Sequence, residues 1–190
     1  MESKQQLRAK LKQLAKEIPP NRFVVEDMQS VEALLHSPLY MGCTTLFAFS
    51  PLPSEVDITP ILRDALQHKR LALPRCIQQP DGTDGLQFHL VQGGWEEGLE
   101  PSRLGIMEPT GGEIATIDEH SLILVPAMAY TPSGERLGRG KGFYDRYLQQ
   151  FPSIATIGIC RGYQMVQSIP TESWDRKVKQ VLCAGLFYRT

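Results

Sequence analysis

The chain has 190 residues, 42% apolar and 22% charged, with a formal net charge of −1. That length suits one domain with a sizeable core, the average composition signals no disordered tail, and near-neutrality argues against a dedicated nucleic-acid binder. Cys43, Cys76, Cys160 and Cys183 lack the paired spacing of zinc or redox motifs, so reduced, mostly buried thiols in a cytoplasmic protein are expected. No apolar run reaches membrane-span length and the start lacks a secretory core. The basic amphipathic start is compatible with a mitochondrial address, although Glu2 and Glu17 weigh against one. The expected state is a monomer with no membrane partner.

In residues 1–18, Leu7, Leu11, Leu14 and Ile18 share one face, ringed by Lys4, Arg8, Lys10, Lys12 and Lys16. This predicts an amphipathic helix ended by Pro19-Pro20, with Lys4 and Arg8 one turn apart and projecting together. Asn21 is the expected cap of a second helix running to about residue 36, with Val24, Met28, Val31 and Leu35 as its buried stripe. Residues 44–49 read as a strand followed by the loop Ser50-Pro-Leu-Pro-Ser54. Ligands in open α/β sheets bind at the carboxyl ends of strands, so this loop is an expected wall of the site. Glu55 and Asp57 precede a helix over 59–68 and could both favour its N-terminus. Strands are predicted at 71–74 and 86–91, joined through a turn at 81–85, with Arg75 either facing the site or simply exposed. Residues 93–112 form a long glycine-rich connection, in which Trp95 could stack on an aromatic ligand or pack internally.

The stretch 121–148, SLILVPAMAYTPSGERLGRGKGFYDRYL, carries the densest chemistry. Its aliphatic start reads as a strand buried on both faces and stopped by Pro126. In the loop that follows, Arg136, Arg139 and Lys141 alternate with Gly134, Gly138, Gly140 and Gly142. Glycines let main-chain amides approach a ligand, and closely spaced cations suit a polyphosphate. A flexible surface loop with solvated charges is the competing reading. A helix over 143–151 would add its N-terminal amides and dipole. Asp145 in its first turn is either a dipole partner or, beside phosphates, a magnesium ligand. As a first-turn surface carboxylate it would contribute only ~0.3–1 kcal/mol to the fold. The glycine spacing fits neither a Walker loop nor a dinucleotide fingerprint.

Strands follow at 154–160 and 181–188, with a turn-rich segment around Asp175 between them. The four histidines are dispersed, and no serine or cysteine sits in a nucleophile elbow. Strands alternating with helices imply an α/β chain: a three-layer α/β/α single domain around a largely parallel sheet.

The run Arg136-Leu-Gly-Arg-Gly-Lys-Gly-Phe-Tyr-Asp145, preceded by Val125-Pro126 and Gly134, resembles the signature of the 5-formyltetrahydrofolate cyclo-ligases, also called 5,10-methenyltetrahydrofolate synthetases. Weaker similarity spans essentially the whole chain and includes Gly105-Ile-Met-Glu-Pro109. The resemblance implies ATP- and magnesium-dependent cyclisation of 5-formyltetrahydrofolate to 5,10-methenyltetrahydrofolate, through phosphorylation of the formyl oxygen. It implies ATP binding by Lys4, Arg8 and the run Arg136, Leu137, Gly138, Arg139, Gly140, Lys141, Gly142, Phe143 and Tyr144. Arg139 and Lys141 would act on the transferring phosphoryl group, Ser50, Glu55 and Tyr144 would bind the folate, and Asp145 and Asp175 would hold magnesium. Phe143 stands where tyrosine is frequent in the family, and Lys179 where many relatives have an acid. The rivals are a non-catalytic nucleotide- or phosphate-binding module and a sister enzyme acting on another formyl or carbonyl compound. A pure binding module would not need Glu55 and Asp175 together, so their joint presence favours the enzyme.

Overall fold

The computed structural model describes residues 2–94, 96, 98–102 and 105–189; Trp95 lies outside them. The first half comprises α1 (Lys4–Glu17), α2 (Pro20–Leu35), α3 (Pro38–Gly42), β1 (Thr45–Phe47), α4 (Thr59–His68), β2 (Arg70–Gln78), β3 (Asp84–Leu90), β4 (Leu99–Pro101) and β5 (Met107–Pro109). The second comprises β6 (Ser121–Val125), β7 (Ala129–Tyr130), β8 (Arg136–Leu137), α5 (Phe143–Gln149), β9 (Ala155–Cys160), β10 (Gln180–Cys183) and β11 (Leu186–Arg189).

The central strands explain the layering. In β6 every residue is buried, and alternate side chains point to opposite faces of a strand. Leu122 and Leu124 enter one core with Leu46, Leu73 and Ile157, while Ile123 and Val125 enter the other with Phe47, Ala72 and Phe88. Both faces therefore need cover. Val31 and Leu34 of α2, Tyr40 of α3, and Ile61 and Leu62 of α4 cover the first; Tyr147 and Leu148 of α5 cover the second. Each fully buried side chain of this size contributes roughly 1.5–3 kcal/mol.

The seven-stranded sheet has the order β11-β10-β9-β6-β1-β2-β3. Its internal pairs are parallel, and the edge strands β3 and β11 are antiparallel to their neighbours. The expected largely parallel α/β architecture is met. β2 runs further than expected, through Pro74, which pairs only with Phe88 of β3. Beyond Ala72 no residue of β1 pairs with β2, so the missing N–H of Pro74 leaves no gap in a ladder. Among the described residues no helix is long and apolar enough to cross a membrane.

Several local expectations need correction. Pro19 is the N-cap of α2 and Pro20 its first residue, so Asn21 lies inside the first turn; proline suits that position because its absent N–H has no helical acceptor there. The stripe on α2 also shifts, with Val24 and Met28 exposed and Glu26, Asp27, Ser30, Val31 and Leu34 buried. Polar partners pull that face inward: Asp27 is bound by Arg161, and Glu26 by Arg22 and the Gly162 amide. The 93–112 connection contains the hairpin β4–β5, and the glycine-rich loop begins with the hairpin β7–β8. The strand expected over 181–188 is two strands. Ala184 and Gly185 take left-handed φ values of 46° and 83° and reverse the chain between β10 and β11.

Candidate active site

The site forms beyond the carboxyl ends of β1 and β6. Tyr130 in β7 is fully buried and its hydroxyl donates to the Val125 carbonyl, tying the β7–β8 hairpin to the end of β6. A Cβ on Gly158 of β9 would sit 2.2 Å from the Tyr130 ring, so only glycine lets the hairpin lie this close to the sheet. Beyond β8, Gly140 and Gly142 adopt φ values of 100° and 67°, and Gly142 is the N-cap of α5. The helix has seven residues, fewer than expected, which limits its dipole.

The loop cations do not stand free as a group. Arg136 is buried: one terminal nitrogen donates to Asp145 Oδ1 at 2.6 Å and its Nε donates to the Arg176 carbonyl at 3.0 Å. Asp145 Oδ1 also accepts the Arg176 amide at 3.0 Å. Arg139 donates to Ser54 Oγ and Glu55 Oε1, both at 3.0 Å. Lys141 is exposed, and its ammonium has no partner among the described residues. From α1, Arg8 Nε donates to the Gly138 carbonyl at 2.8 Å, while Lys4 Nζ reaches Glu172 and Asp175 Oδ2, each at 2.6 Å. Burial would lower the Lys4 pKa, but these carboxylates outweigh it and the net direction is upward.

Arg139 thus joins two loops. Glu55 Oε2 accepts the Leu52 amide at 3.0 Å and closes the turn that begins at Ser50. Asp57 instead accepts the Thr59 amide at the start of α4, the helix-terminus role open to it in the sequence. Arg75 donates to the Thr110 carbonyl, which gives it a structural partner. Tyr144 packs edge-on to Phe88, with centroids 6.5 Å apart, and its buried hydroxyl has no partner among the described residues. Burial, then the nearby Glu55 charge, pushes this phenol's pKa well up, so it stays protonated at neutral pH. Ser50 Oγ is likewise buried and without a partner among those residues. The pattern leaves two hydroxyls available beside an ion pair.

Asp145 and Asp175 come from separate elements and meet through the backbone, because Asp145 binds the amide of the residue following Asp175. Each keeps a second carboxylate oxygen with no partner among the described residues. Among the described residues, no group of three or more acids, histidines or cysteines is gathered that could hold a metal ion. Lys179 donates to the Ser153 carbonyl.

Two contributors escaped sequence reasoning. Arg146 donates twice to the Asp84 carbonyl, at 3.0 and 2.6 Å, and to the Lys141 carbonyl at 3.0 Å, fixing the glycine loop's exit against β3. Its place four residues after Gly142 was the available signal. Trp174, half exposed, lines a cleft of about 310 Å³ with Gly140, Lys141 and Asp145. Nothing local marked that tryptophan.

Comparisons with known proteins agree on one family. The model of the 5-formyltetrahydrofolate cyclo-ligase family matches residues 1–184. A 5-formyltetrahydrofolate cyclo-ligase of Mycolicibacterium smegmatis is 34% identical over 187 residues, covering 95% of this chain and 93% of that protein. Its counterpart in Escherichia coli is 26% identical over 170 residues, covering 87% and 91%. The NMR structure of Aquifex aeolicus 5,10-methenyltetrahydrofolate synthetase matches with a TM-score of 0.83 at 26% identity, over 98% of this chain and 92% of that one. The chain belongs to the 5-formyltetrahydrofolate cyclo-ligase family.

Proposed function

We propose that this chain converts 5-formyltetrahydrofolate to 5,10-methenyltetrahydrofolate, consuming ATP and releasing ADP and phosphate. The observation that carries the reading is the Arg139–Glu55 ion pair at 3.0 Å, which joins the loop after β1 to the glycine loop beside two buried, unpartnered hydroxyls. Leaving a buried hydroxyl unsatisfied costs about 1–3 kcal/mol, and a polar ligand would relieve that cost. Ser50, Glu55 and Tyr144 are therefore assigned to the folate. The loop amides, Arg136, Arg139 and Lys141 are assigned to the nucleotide, with Lys4 and Arg8 closing over it from α1.

The amide-like formyl oxygen is a poor leaving group. Its attack on the γ-phosphorus transfers the phosphoryl group and expels ADP. The second folate nitrogen then attacks the activated formyl carbon and gives up its proton to solvent or the leaving phosphate, and the C–O bond breaks as phosphate departs. Phosphoryl transfer depends on positioning and charge neutralisation more than on a protein nucleophile. Exposed Lys141 and half-exposed Arg139 can meet the charge on the transferring oxygens. Arg136 serves differently from a free cation, by holding Asp145 in place.

Asp145 and Asp175, with one unused oxygen each, fit a magnesium ion that would otherwise be held by nucleotide phosphates and water. Bound there, magnesium supplies charge neutralisation. Lys4 shares Asp175 and would turn from it toward the phosphates. A cytoplasmic monomer folded as one domain is the accompanying proposal; the four free cysteines suit a reducing compartment.

The test is ultraviolet absorbance of methenyltetrahydrofolate with purified protein, 5-formyltetrahydrofolate and magnesium, with and without ATP. Product only with ATP is expected. Product without ATP would remove the phosphorylation step. ATP binding with no product would replace this reading with a sister reaction or a binding module.

A further inference from the structure

The cleft at the glycine loop has a wall that no step above uses. Trp174 lies in the turn Glu172 to Asp175, where Asp175 Oδ2 accepts the Glu172 amide at 2.7 Å and the Asp175 amide returns to the Glu172 carbonyl at 3.0 Å. Those two hydrogen bonds fix the backbone under the ring. Trp174 is 59% exposed and lines the cleft. Tryptophan combines a broad apolar face with little conformational freedom, so a partly uncovered ring in a polar cleft is suited to receive a flat ligand.

The remaining lining limits what that ligand is. Lys141 and the backbone of Gly140 and Gly142 lie on the same cleft and suit phosphate oxygens. Gln149, exposed near the end of α5, also lines it, and its amide forms no hydrogen bond with a described residue. A primary amide carries both a donor and an acceptor, which matches the polar edge of a nucleobase. Flat face, amide edge and phosphate loop together describe a purine nucleoside polyphosphate. A folate pterin is also flat, but Ser50, Tyr144 and Glu55, the residues assigned to it, are not among those that line this cleft.

We infer that Trp174 is the platform on which the adenine base stacks, with Gln149 meeting its polar edge. Trp174 is thereby a specificity-determining residue for the nucleotide, adjacent in sequence to the aspartate assigned to its metal. The inference rests on the nucleotide reading above.

Titration calorimetry of ATP and of inorganic tripolyphosphate against wild type, Trp174→Ala and Trp174→Phe separates base from phosphate recognition. Loss of one base–aromatic stack should weaken ATP binding roughly ten- to a hundredfold in W174A. Tripolyphosphate affinity should stay within about twofold, and W174F should recover most of the loss. In the product assay, W174A should raise the KM for ATP without raising the KM for 5-formyltetrahydrofolate. Unchanged ATP affinity in W174A would overturn the assignment. So would equal weakening of ATP and tripolyphosphate, which marks a disturbed loop, or a change confined to the folate. If wild type binds ATP through Trp174 but forms no methenyl product, the platform stands and the proposed reaction falls; if wild type binds no ATP, both fall.

Discussion

Asp145 shows how a partner changes the weight of a residue. A first-turn surface carboxylate contributes ~0.3–1 kcal/mol, the value expected from sequence. Here it faces Arg136, whose side chain is only 3% exposed, and removing one member of such a pair costs about 3–5 kcal/mol. Asp145→Ala should therefore lower the urea midpoint substantially, while Asp145→Asn retains an oxygen for the Arg176 amide and loses less. Both should lose magnesium-dependent turnover by roughly 10²-fold; full turnover of D145N at limiting magnesium would end its assignment as a ligand. Tyr144→Phe makes the opposite pairing of effects. Its hydroxyl is buried without a partner among the described residues, so in the ligand-free protein its removal should be neutral or stabilising by up to about 1 kcal/mol. The KM for 5-formyltetrahydrofolate should nevertheless rise about five- to tenfold. A large drop in Tm would mean that this hydroxyl already has a structural partner.

Among the elements, the β7–β8 hairpin depends most on one distant residue. Gly158 belongs to β9, yet its missing side chain is what admits the Tyr130 ring against the sheet. Gly158→Ala should overpack that contact at a cost of about 1–3 kcal/mol and move the hairpin that leads into the glycine loop. Denaturation should show the stability loss, and calorimetry a weaker affinity for ATP; an unchanged ATP affinity would show the loop to be independent of the hairpin. α1 acts on the same loop from outside. Its Leu7 and Leu11 pack on Ala129 and Leu137 while Arg8 holds the Gly138 carbonyl, so helix docking and loop shape are one event.

Across the whole molecule, Arg161 ties distant parts of the chain together. It leaves the end of β9, binds Asp27 of α2 through two hydrogen bonds of 2.8 and 2.7 Å, and stacks over Phe23 at 4.4 Å. Asp27 also accepts the Asp57 amide at 2.9 Å, two residues beyond Glu55. Both partners are nearly fully buried. Asp27→Ala should cost about 3–5 kcal/mol in urea unfolding, and the double replacement Asp27→Leu with Arg161→Met should recover much of it, because no buried charge then lacks its partner. A double variant as unstable as the single would show the Asp57 contact to matter more than the charge.

The sequence by itself determined the layers. Apolar runs such as 121–125 demand cover on both faces, and alternation with helices supplies it. The glycines and cations of 136–145 were equally legible, because their chemistry lies in contiguous residues. The tertiary structure alone decided which charges are spent on one another. Arg139 meets Glu55 across 84 positions, Lys4 meets Asp175 across 171, and Arg161 draws Asp27 inward across 134, against the apolar stripe that α2 otherwise displays. Periodicity reports a residue's neighbours within about one turn or one strand pair, whereas an ion pair forms wherever folding brings its members together. For the same reason Trp174 gave no local signal: an exposed aromatic acquires meaning only from the cleft that other segments build around it.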